Sequence, residues 1–166
     1  REELSRVKSH YGTSLSRLLE ENESKRALPG VRKILTAIEK HGGAVNALLT
    51  SNLRIGAEIK LRSVGLDGFF TLGGFGDEPG EKWDAARRGV ALAQACYSAA
   101  FSTDQIYLVG DGTYDITTAK RLGIKCVAVG SGWVPGEELK KRNPDFYFDD
   151  LHRVDEVLKV LLNGIE

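Results

Sequence analysis

The chain has 166 residues, of which 42% are hydrophobic and 28% are charged, proportions typical of one globular domain or slightly more. Its 23 basic and 23 acidic side chains balance, so no net charge favours nucleic acid or an anionic membrane as a partner. No apolar run approaches the roughly 20 residues of a membrane-spanning helix, and no signal peptide is visible, which predicts a cytoplasmic protein.

Helical patterns begin the chain. Over residues 1–28, apolar side chains recur at a spacing near 3.6, which predicts one or two amphipathic helices. A further helix is predicted from Pro29 to Gly42, because these residue types suit the first turn and the end of a helix. The apolar run "AVNALLT" then predicts a strand that ends at Thr50, and the helix after it closes at Gly65.

The second half of the chain alternates between strands and helices. "GFFTLGG" predicts a short strand, and a longer helix is predicted from about Trp83 to Ala100. The remaining segments are a strand, a helix, a strand, a helix, a strand and a helix, in that order: "QIYLVGD", "YDITTAKRLG", "KCVAVGSG", "PGEELKKR", "DFYFDD" and "LHRVDEVLKVLLNG". This alternation predicts an α/β fold, in which a parallel, Rossmann-like sheet has helices on both faces.

The two cysteines carry no recognisable chemistry. Cys96 and Cys126 match neither a zinc spacing nor a redox spacing. Both lie in apolar surroundings, which predicts reduced thiols in the core of a protein from a reducing compartment.

Two carboxylates follow the strand "IYLVGD". Asp111 ends the strand and Asp115 comes four residues later, after a short turn. Carboxylates that meet at one strand end repel each other unless a cation lies between them or one is protonated. Mg²⁺ fits this position, because it binds one or two carboxylates and completes its shell with waters and a phosphate. The alternative is structural: Asp111 forms an Asx-turn and Asp115 caps a helix.

Polar groups after two other predicted strands could bind the phosphate. The hydroxyl of Thr50, with the backbone N–H groups of Ser51 and Asn52, could hold a phosphoryl oxygen. Lys82, in the polar turn "GDEPGEKW", could neutralise phosphate charge. The alternatives are that Ser51 or Asn52 caps the next helix and that Lys82 is a solvated surface residue.

From about Leu28 to Leu162 the chain resembles the haloacid dehalogenase superfamily, nearest its phosphoglycolate-phosphatase-like branch. The residues that carry the resemblance are, in chain order, "ALPGVRKILTAIEKHGGAVNALLTSN", "LRSVGLDGFFTLGGFGDE" and "IYLVGDGTYDITTAKRLGIKCVAVGSG". Members of this family are mostly Mg²⁺-dependent phosphatases of small phosphorylated metabolites. The resemblance therefore implies a core of that fold over residues 29–166 and the remnant of a helical cap over residues 1–28.

The resemblance also implies a role for each candidate residue. Thr50 would bind the phosphoryl group together with the nearby amides of Ser51 and Asn52. Lys82 would correspond to the third-motif base, although the context around it differs from the family pattern. Asp111 would be the main carboxylate ligand of Mg²⁺, and Asp115 would support the metal shell.

One family motif is absent from the sequence. Family members carry a strand that ends in Asp-x-Asp-x-Thr, whose first aspartate forms an aspartyl-phosphate and whose second acts as general acid and base. No such motif occurs among the 166 residues. We therefore expect that an N-terminal segment with the nucleophile is missing from this sequence and that the chain alone is inactive. The alternatives are a non-catalytic member that binds a ligand or a partner, and a metal-independent haloacid dehalogenase.

Overall fold

The computed structural model describes residues 2–163. Arg1 of the predicted cap remnant and residues 164–166 of the predicted core lie outside this range. Within it, helices and strands alternate from α2 onward, as the sequence predicts. The elements are α1 (Glu2–Glu21), α2 (Val31–His41), β1 (Leu48–Leu49), α3 (Arg54–Ser63), β2 (Gly73–Gly74), α4 (Lys82–Tyr97), β3 (Tyr107–Gly110), α5 (Thr113–Leu122), β4 (Lys125–Val129), α6 (Gly136–Lys141), β5 (Phe146–Phe148) and α7 (Val154–Leu161). No helix in this part of the chain has the length and hydrophobicity of a membrane span.

Helix α1 is a single helix that packs on α3. Glycines allow the close approach on both sides of this contact. A Cβ atom on Gly12 would lie 2.8 Å from a methyl carbon of Ile55, and one on Gly56 would lie 2.7 Å from the Tyr11 hydroxyl. The contact places α1 beside the helix that follows β1.

The strands form two separate parallel sheets within the described residues. Strand β1 pairs with β2, with Leu48 opposite Gly73. The other sheet has the order β3-β4-β5, with Val109 opposite Val127 and Val127 opposite Phe146. The α/β class and the parallel pairing are thus confirmed, but β1 and β2 have only two residues each and do not pair with β3.

The core has two main clusters. One lies between α5 and the β3-β4-β5 sheet and includes Ile116, Cys126 and Leu139. The other joins α2 to α7 through Ile34, Ile38 and Val157. Burial on these faces is the main stabilising term, because each large side chain removed from water contributes roughly 2 kcal/mol.

The prediction that both cysteines are core thiols is wrong for one of them. Cys126 is buried in β4, but Cys96 is exposed. Helix α4 buries a stripe that contains Ala85, Gly89 and Ala93, and its last turn, which carries Cys96, is exposed. Apolar neighbours in sequence therefore did not indicate burial at a helix end.

An apolar groove of about 460 Å³ separates the two sheets. Strands β1 and β3 line it through Leu48 and Leu108, while helices contribute residues such as Leu35, Val90 and Val157. We call this the inter-sheet groove. Since no strand within residues 2–163 pairs with β1 or β3 on this side, these edges carry backbone groups without sheet hydrogen bonds in the described part of the chain.

Candidate active site

The two predicted carboxylates lie where β3 leads into α5. Asp111 is exposed, whereas only 7% of the surface of Asp115 is accessible to solvent. Asp115 Oδ2 accepts a hydrogen bond from the Gly112 backbone N–H at 3.0 Å, at the start of α5. The capping role that the sequence left open for Asp115 is therefore present, and it fixes this carboxylate in the first turn of the helix.

Lys82 pairs directly with Asp115. Its Nζ lies 2.7 Å from Asp115 Oδ1, and the two side chains are only 18% and 10% exposed. Lys82 is the first residue of α4, where the Glu81 and Asp84 side chains form a capping box. Lys82 is therefore not a solvated surface residue, and its ammonium group is the cation that balances Asp115.

This ion pair also joins the two sheets. Lys82 follows the β1·β2 sheet in the chain, and Asp115 follows β3 of the other sheet. Each oxygen of Asp115 has a donor, namely the Lys82 ammonium group and the Gly112 N–H. Asp115 also lines the inter-sheet groove, so the ion pair stands beside it.

Asp111 differs from Asp115 in its surroundings. Among residues 2–163, no protein donor contacts the Asp111 carboxylate. The loop between β4 and α6 packs against its side, because a Cβ atom on Gly132 would lie 2.5 Å from Asp111 Cβ. The contact with Gly132 was not foreseen, since the spacing of "GSGWVPG" alone indicates neither a partner nor a direction.

Thr50 directly follows β1, and its hydroxyl accepts hydrogen bonds from its own loop. Its backbone N–H donates to the Gly74 carbonyl at 3.0 Å, which continues the pairing with β2. Its Oγ1 accepts hydrogen bonds from the Asn52 backbone N–H at 3.1 Å and from Asn52 Nδ2 at 2.8 Å. The Asn52 N–H is thus engaged within the loop, contrary to the expectation that it is free to bind an anion.

The helix after this loop is capped from a different segment. The residue at the N-cap of α3 is Leu53, so neither Ser51 nor Asn52 caps it. Instead, the Arg54 backbone N–H donates to Asp77 Oδ1 at 3.0 Å. Asp77 was not foreseen, because it lies 23 residues away in the chain.

Asp77 also accepts a hydrogen bond from α1. Lys8 Nζ lies 2.6 Å from Asp77 Oδ2. The Lys8 hydrogen bond, followed by that from the Arg54 backbone, lowers the pKa of Asp77 from its usual value of 3.8. The segment that leads to Lys82 is thereby tied to both α1 and α3.

The candidate residues thus form two groups. Thr50, Ser51 and Asn52 lie at the end of β1, and Asp111 and Asp115 lie at the end of β3 in the other sheet. Each group follows the carboxyl end of a parallel strand, which is where ligands bind in α/β proteins. Lys82 connects the second group to the first sheet.

Of the two carboxylates predicted to bind Mg²⁺, only that of Asp111 is available within residues 2–163. Among the described residues, no cluster of three His, Cys, Asp or Glu side chains could hold a metal. Asp111 offers an exposed carboxylate that accepts from no donor in the described part of the chain, while both Asp115 oxygens are engaged. A Mg²⁺ site with Asp111 as the single carboxylate here would take its other ligands from waters, a phosphate or residues outside the described range.

The chain matches a known family and several known proteins. Residues 3–129 match the family model described as haloacid dehalogenase-like hydrolase. Phosphoglycolate phosphatase of Pseudomonas syringae pv. tomato is 32% identical over 136 residues, which cover 81% of this chain and 48% of that protein. Phosphoglycolate phosphatase of Pseudomonas fluorescens is 30% identical over 127 residues, which cover 76% of this chain and 45% of that protein. The chain spans about half the length of these curated relatives.

A solved structure shares the fold. The haloacid dehalogenase-like family hydrolase from Streptococcus pneumoniae superposes with a TM-score of 0.63 and 19% identity. The match covers 78% of this chain and 59% of that chain. At this identity the likeness concerns the architecture alone.

Proposed function

This chain belongs to the haloacid dehalogenase-like hydrolases, as its sequence resemblance indicated, and we propose that it is part of a Mg²⁺-dependent phosphatase of small phosphomonoesters. The named phosphatases among its relatives support this activity. The observation that carries the proposal is the Lys82–Asp115 ion pair, 2.7 Å long and largely shielded from water, beside the exposed carboxylate of Asp111. A cation held at a strand end in this way can offset the charge of a transferring phosphoryl group.

Each candidate residue has one task in this proposal. Thr50 donates a hydrogen bond to a phosphoryl oxygen, and the Ser51 backbone N–H supports it. Lys82 adds positive charge beside the phosphate, and Asp115 holds the ammonium group in place. Asn52 acts through its contacts with Thr50 and not through its backbone N–H, which is already engaged.

Asp111 is the proposed carboxylate ligand of Mg²⁺. When bound, the ion would neutralise charge on the phosphoryl oxygens. Asp115 supports the site without direct ligation, because both of its oxygens have protein donors. Since Lys82 already balances Asp115, the proposal of a metal rests on Asp111 and on the phosphatase relatives.

The nucleophilic aspartate is proposed to lie outside these 166 residues. The sequence contains no Asp-x-Asp pair. The inter-sheet groove supports a strand as the carrier of the nucleophile, because the free edges of β1 and β3 face an apolar space of about 460 Å³. A parallel strand seated there would end between Thr50 and Asp111, within reach of a phosphate bound by both.

The test is hydrolysis of p-nitrophenyl phosphate by the gene product that contains this chain, with and without MgCl₂. We expect Mg²⁺-dependent turnover that falls about 100-fold or more in Asp111→Asn, since charge stabilisation by a metal contributes several kcal/mol. Asp155→Asn, an exposed change on α7, is the matched control and should keep the wild-type rate. An unchanged rate in Asp111→Asn would refute the assignment.

The position of the nucleophile has its own test. The 166-residue chain alone, with its fold checked by circular dichroism, should show no turnover above buffer. Turnover by the chain alone that is lost in Asp111→Asn would mean that the nucleophile is within these residues. Absence of turnover in the gene product as well would favour a non-catalytic member that binds its ligand.

A further inference from the structure

A chain of hydrogen bonds links α3 to the Thr50 hydroxyl. Lys60 Nζ lies 2.7 Å from Asn52 Oδ1, and Asn52 Nδ2 lies 2.8 Å from Thr50 Oγ1. The Asn52 backbone N–H adds a second bond to the same hydroxyl oxygen at 3.1 Å. Thr50 and Asn52 are half-buried, while Lys60 is at the surface of α3.

Lys60 determines which way the Asn52 amide points. An ammonium group has only hydrogens to offer, so the amide atom that faces Lys60 at 2.7 Å must be the carbonyl oxygen. The amide nitrogen therefore faces Thr50 and can only donate to it. The direction of both bonds follows from the chemistry of the lysine.

Because of the direction of these bonds, the Thr50 hydroxyl can still donate one hydrogen bond but can accept no more. A hydroxyl oxygen has two lone pairs and one hydrogen, and the two Asn52 donors occupy the lone pairs. Among residues 2–163, no acceptor takes the Thr50 hydroxyl hydrogen. The hydroxyl can therefore act only as a donor toward a bound group, and it can receive neither a metal ion nor a hydrogen-bond donor.

We propose that Lys60 and Asn52 are positioning residues that hold the Thr50 hydroxyl as a donor, so that this position selects an anionic oxygen such as that of phosphate. The inference rests on the proposed function, because it takes Thr50 as part of the phosphate site. The Lys60 charge adds to the selection, since it draws electron density through the amide and strengthens the donor.

The loop itself does not depend on these side-chain contacts. The Asn52 carbonyl accepts a bond from the Gly76 N–H at 2.9 Å, and the Thr50 N–H bonds to the Gly74 carbonyl. These backbone bonds hold the two loops together whatever the side chain at position 52. A change of the Asn52 amide should therefore alter the polarity of the hydroxyl and leave the fold in place.

The variant Asn52→Asp tests the proposal because it keeps the shape and reverses the bond. A carboxylate at that position accepts the Thr50 hydroxyl hydrogen, which is then lost to the ligand. The measurement is a titration of the gene product with inorganic phosphate, followed by the NMR signal of the Thr50 methyl group. We expect the dissociation constant to rise at least tenfold in Asn52→Asp and roughly threefold in Lys60→Met, with Asn143→Asp as the unchanged control.

A double-mutant cycle separates positioning from a structural role. In the Thr50→Val background, where the methyl signals of the new side chain at position 50 serve as the readout, Asn52→Asp should weaken phosphate binding by a much smaller factor, because the hydroxyl it acts on is gone. An equal factor in both backgrounds, or a wild-type titration without a saturable shift, would overturn the inference. The titration needs no turnover, so a gene product that binds phosphate but does not hydrolyse esters would refute the proposed function and leave this inference standing.

Discussion

Lys82 Nζ and Asp115 Oδ1 lie 2.7 Å apart although they are 33 residues apart in the chain, and their ion pair connects the two sheets. Removal of one partner leaves the other shielded from water without its counter-charge. We expect Lys82→Met to lower the free energy of unfolding by about 2 kcal/mol, as measured by urea denaturation at pH 7.

The double variant Lys82→Met with Asp115→Asn should recover part of this loss, because no lone charge remains. The control is Arg153→Met, which breaks an exposed pair with Glu156 and should cost less than about 0.5 kcal/mol. Equal losses in Lys82→Met and Arg153→Met would show that the inter-sheet ion pair contributes no more to stability than an exposed pair does.

Gly132 has no room for a side chain beside Asp111. A Cβ atom there would lie 2.5 Å from Asp111 Cβ, and rotation of the Asp111 side chain cannot relieve a clash with that atom. The backbone of one of the two loops must therefore move in Gly132→Ala. We expect a loss of at least tenfold in Mg²⁺-dependent hydrolysis, measured on the gene product, since a displacement of 1 Å at a site can cost that much or more.

Gly68 provides a matched control for this substitution. A Cβ atom on Gly68 meets no atom within 4 Å, so Gly68→Ala should retain the wild-type activity. If Gly132→Ala behaves like Gly68→Ala, the contact between the β4–α6 loop and Asp111 has no part in the site.

The two cysteines should differ in reactivity. Burial, followed by the nearby charges of Asp115 and Asp145, raises the pKa of the Cys126 thiol to about 11, while Cys96 is exposed. Only the thiolate reacts with an aromatic disulfide reagent. At pH 8 we expect one rapidly reacting thiol in the native protein, and none in Cys96→Ser. Two rapid thiols before unfolding would contradict the burial of Cys126.

Asp77 should make stability depend on acid pH. The Lys8 hydrogen bond and the Arg54 N–H lower the pKa of Asp77 below 3.8, so the folded state binds its proton less readily than the unfolded state does. The contribution is therefore fully present above about pH 4 and is lost as the pH falls through the lowered pKa. We expect Asp77→Asn to lower the free energy of unfolding by about 1 kcal/mol at pH 7, because the amide oxygen can still accept from the Arg54 N–H but the charge-assisted hydrogen bond with Lys8 is lost.

The difference in the free energy of unfolding between the wild type and Asp77→Asn should become smaller when the urea titration is repeated near pH 3. Asp67→Asn, in which an exposed carboxylate 3.6 Å from Arg62 is lost, is the control and should change the free energy of unfolding by a few tenths of a kcal/mol. If that difference in the free energy of unfolding stays constant from pH 7 to pH 3, Asp77 is not the group that makes stability depend on acid pH.

Local patterns predicted the order of the helices and strands. Gly42 and Gly123 end α2 and α5 with φ angles of 72° and 67°, a conformation that glycine adopts without strain, so these boundaries could be placed from the sequence. The carboxyl ends of two strands were predicted to within one residue, since β1 ends at Leu49 and β3 at Gly110, directly before Thr50 and Asp111, where the apolar runs stop.

Contacts between distant segments could not be predicted in this way. The cap that Asp77 provides for α3 and the pairing of Lys82 with Asp115 both join residues more than 20 positions apart. Periodicity reports which face of an element is buried and gives no information on which loop reaches it.

The inter-sheet groove means that the distance between Thr50 and Asp111 is not fixed by strand pairing. Thr50 follows β1 and Asp111 follows β3, and among residues 2–163 no strand hydrogen bonds join these two strands. A polypeptide segment bound in the groove would therefore act as a spacer. The size of its side chains would determine whether one phosphate can contact both Thr50 and Asp111. We expect substitutions in such a segment to change phosphate binding by altering the distance between Thr50 and Asp111, without contact with the phosphate itself.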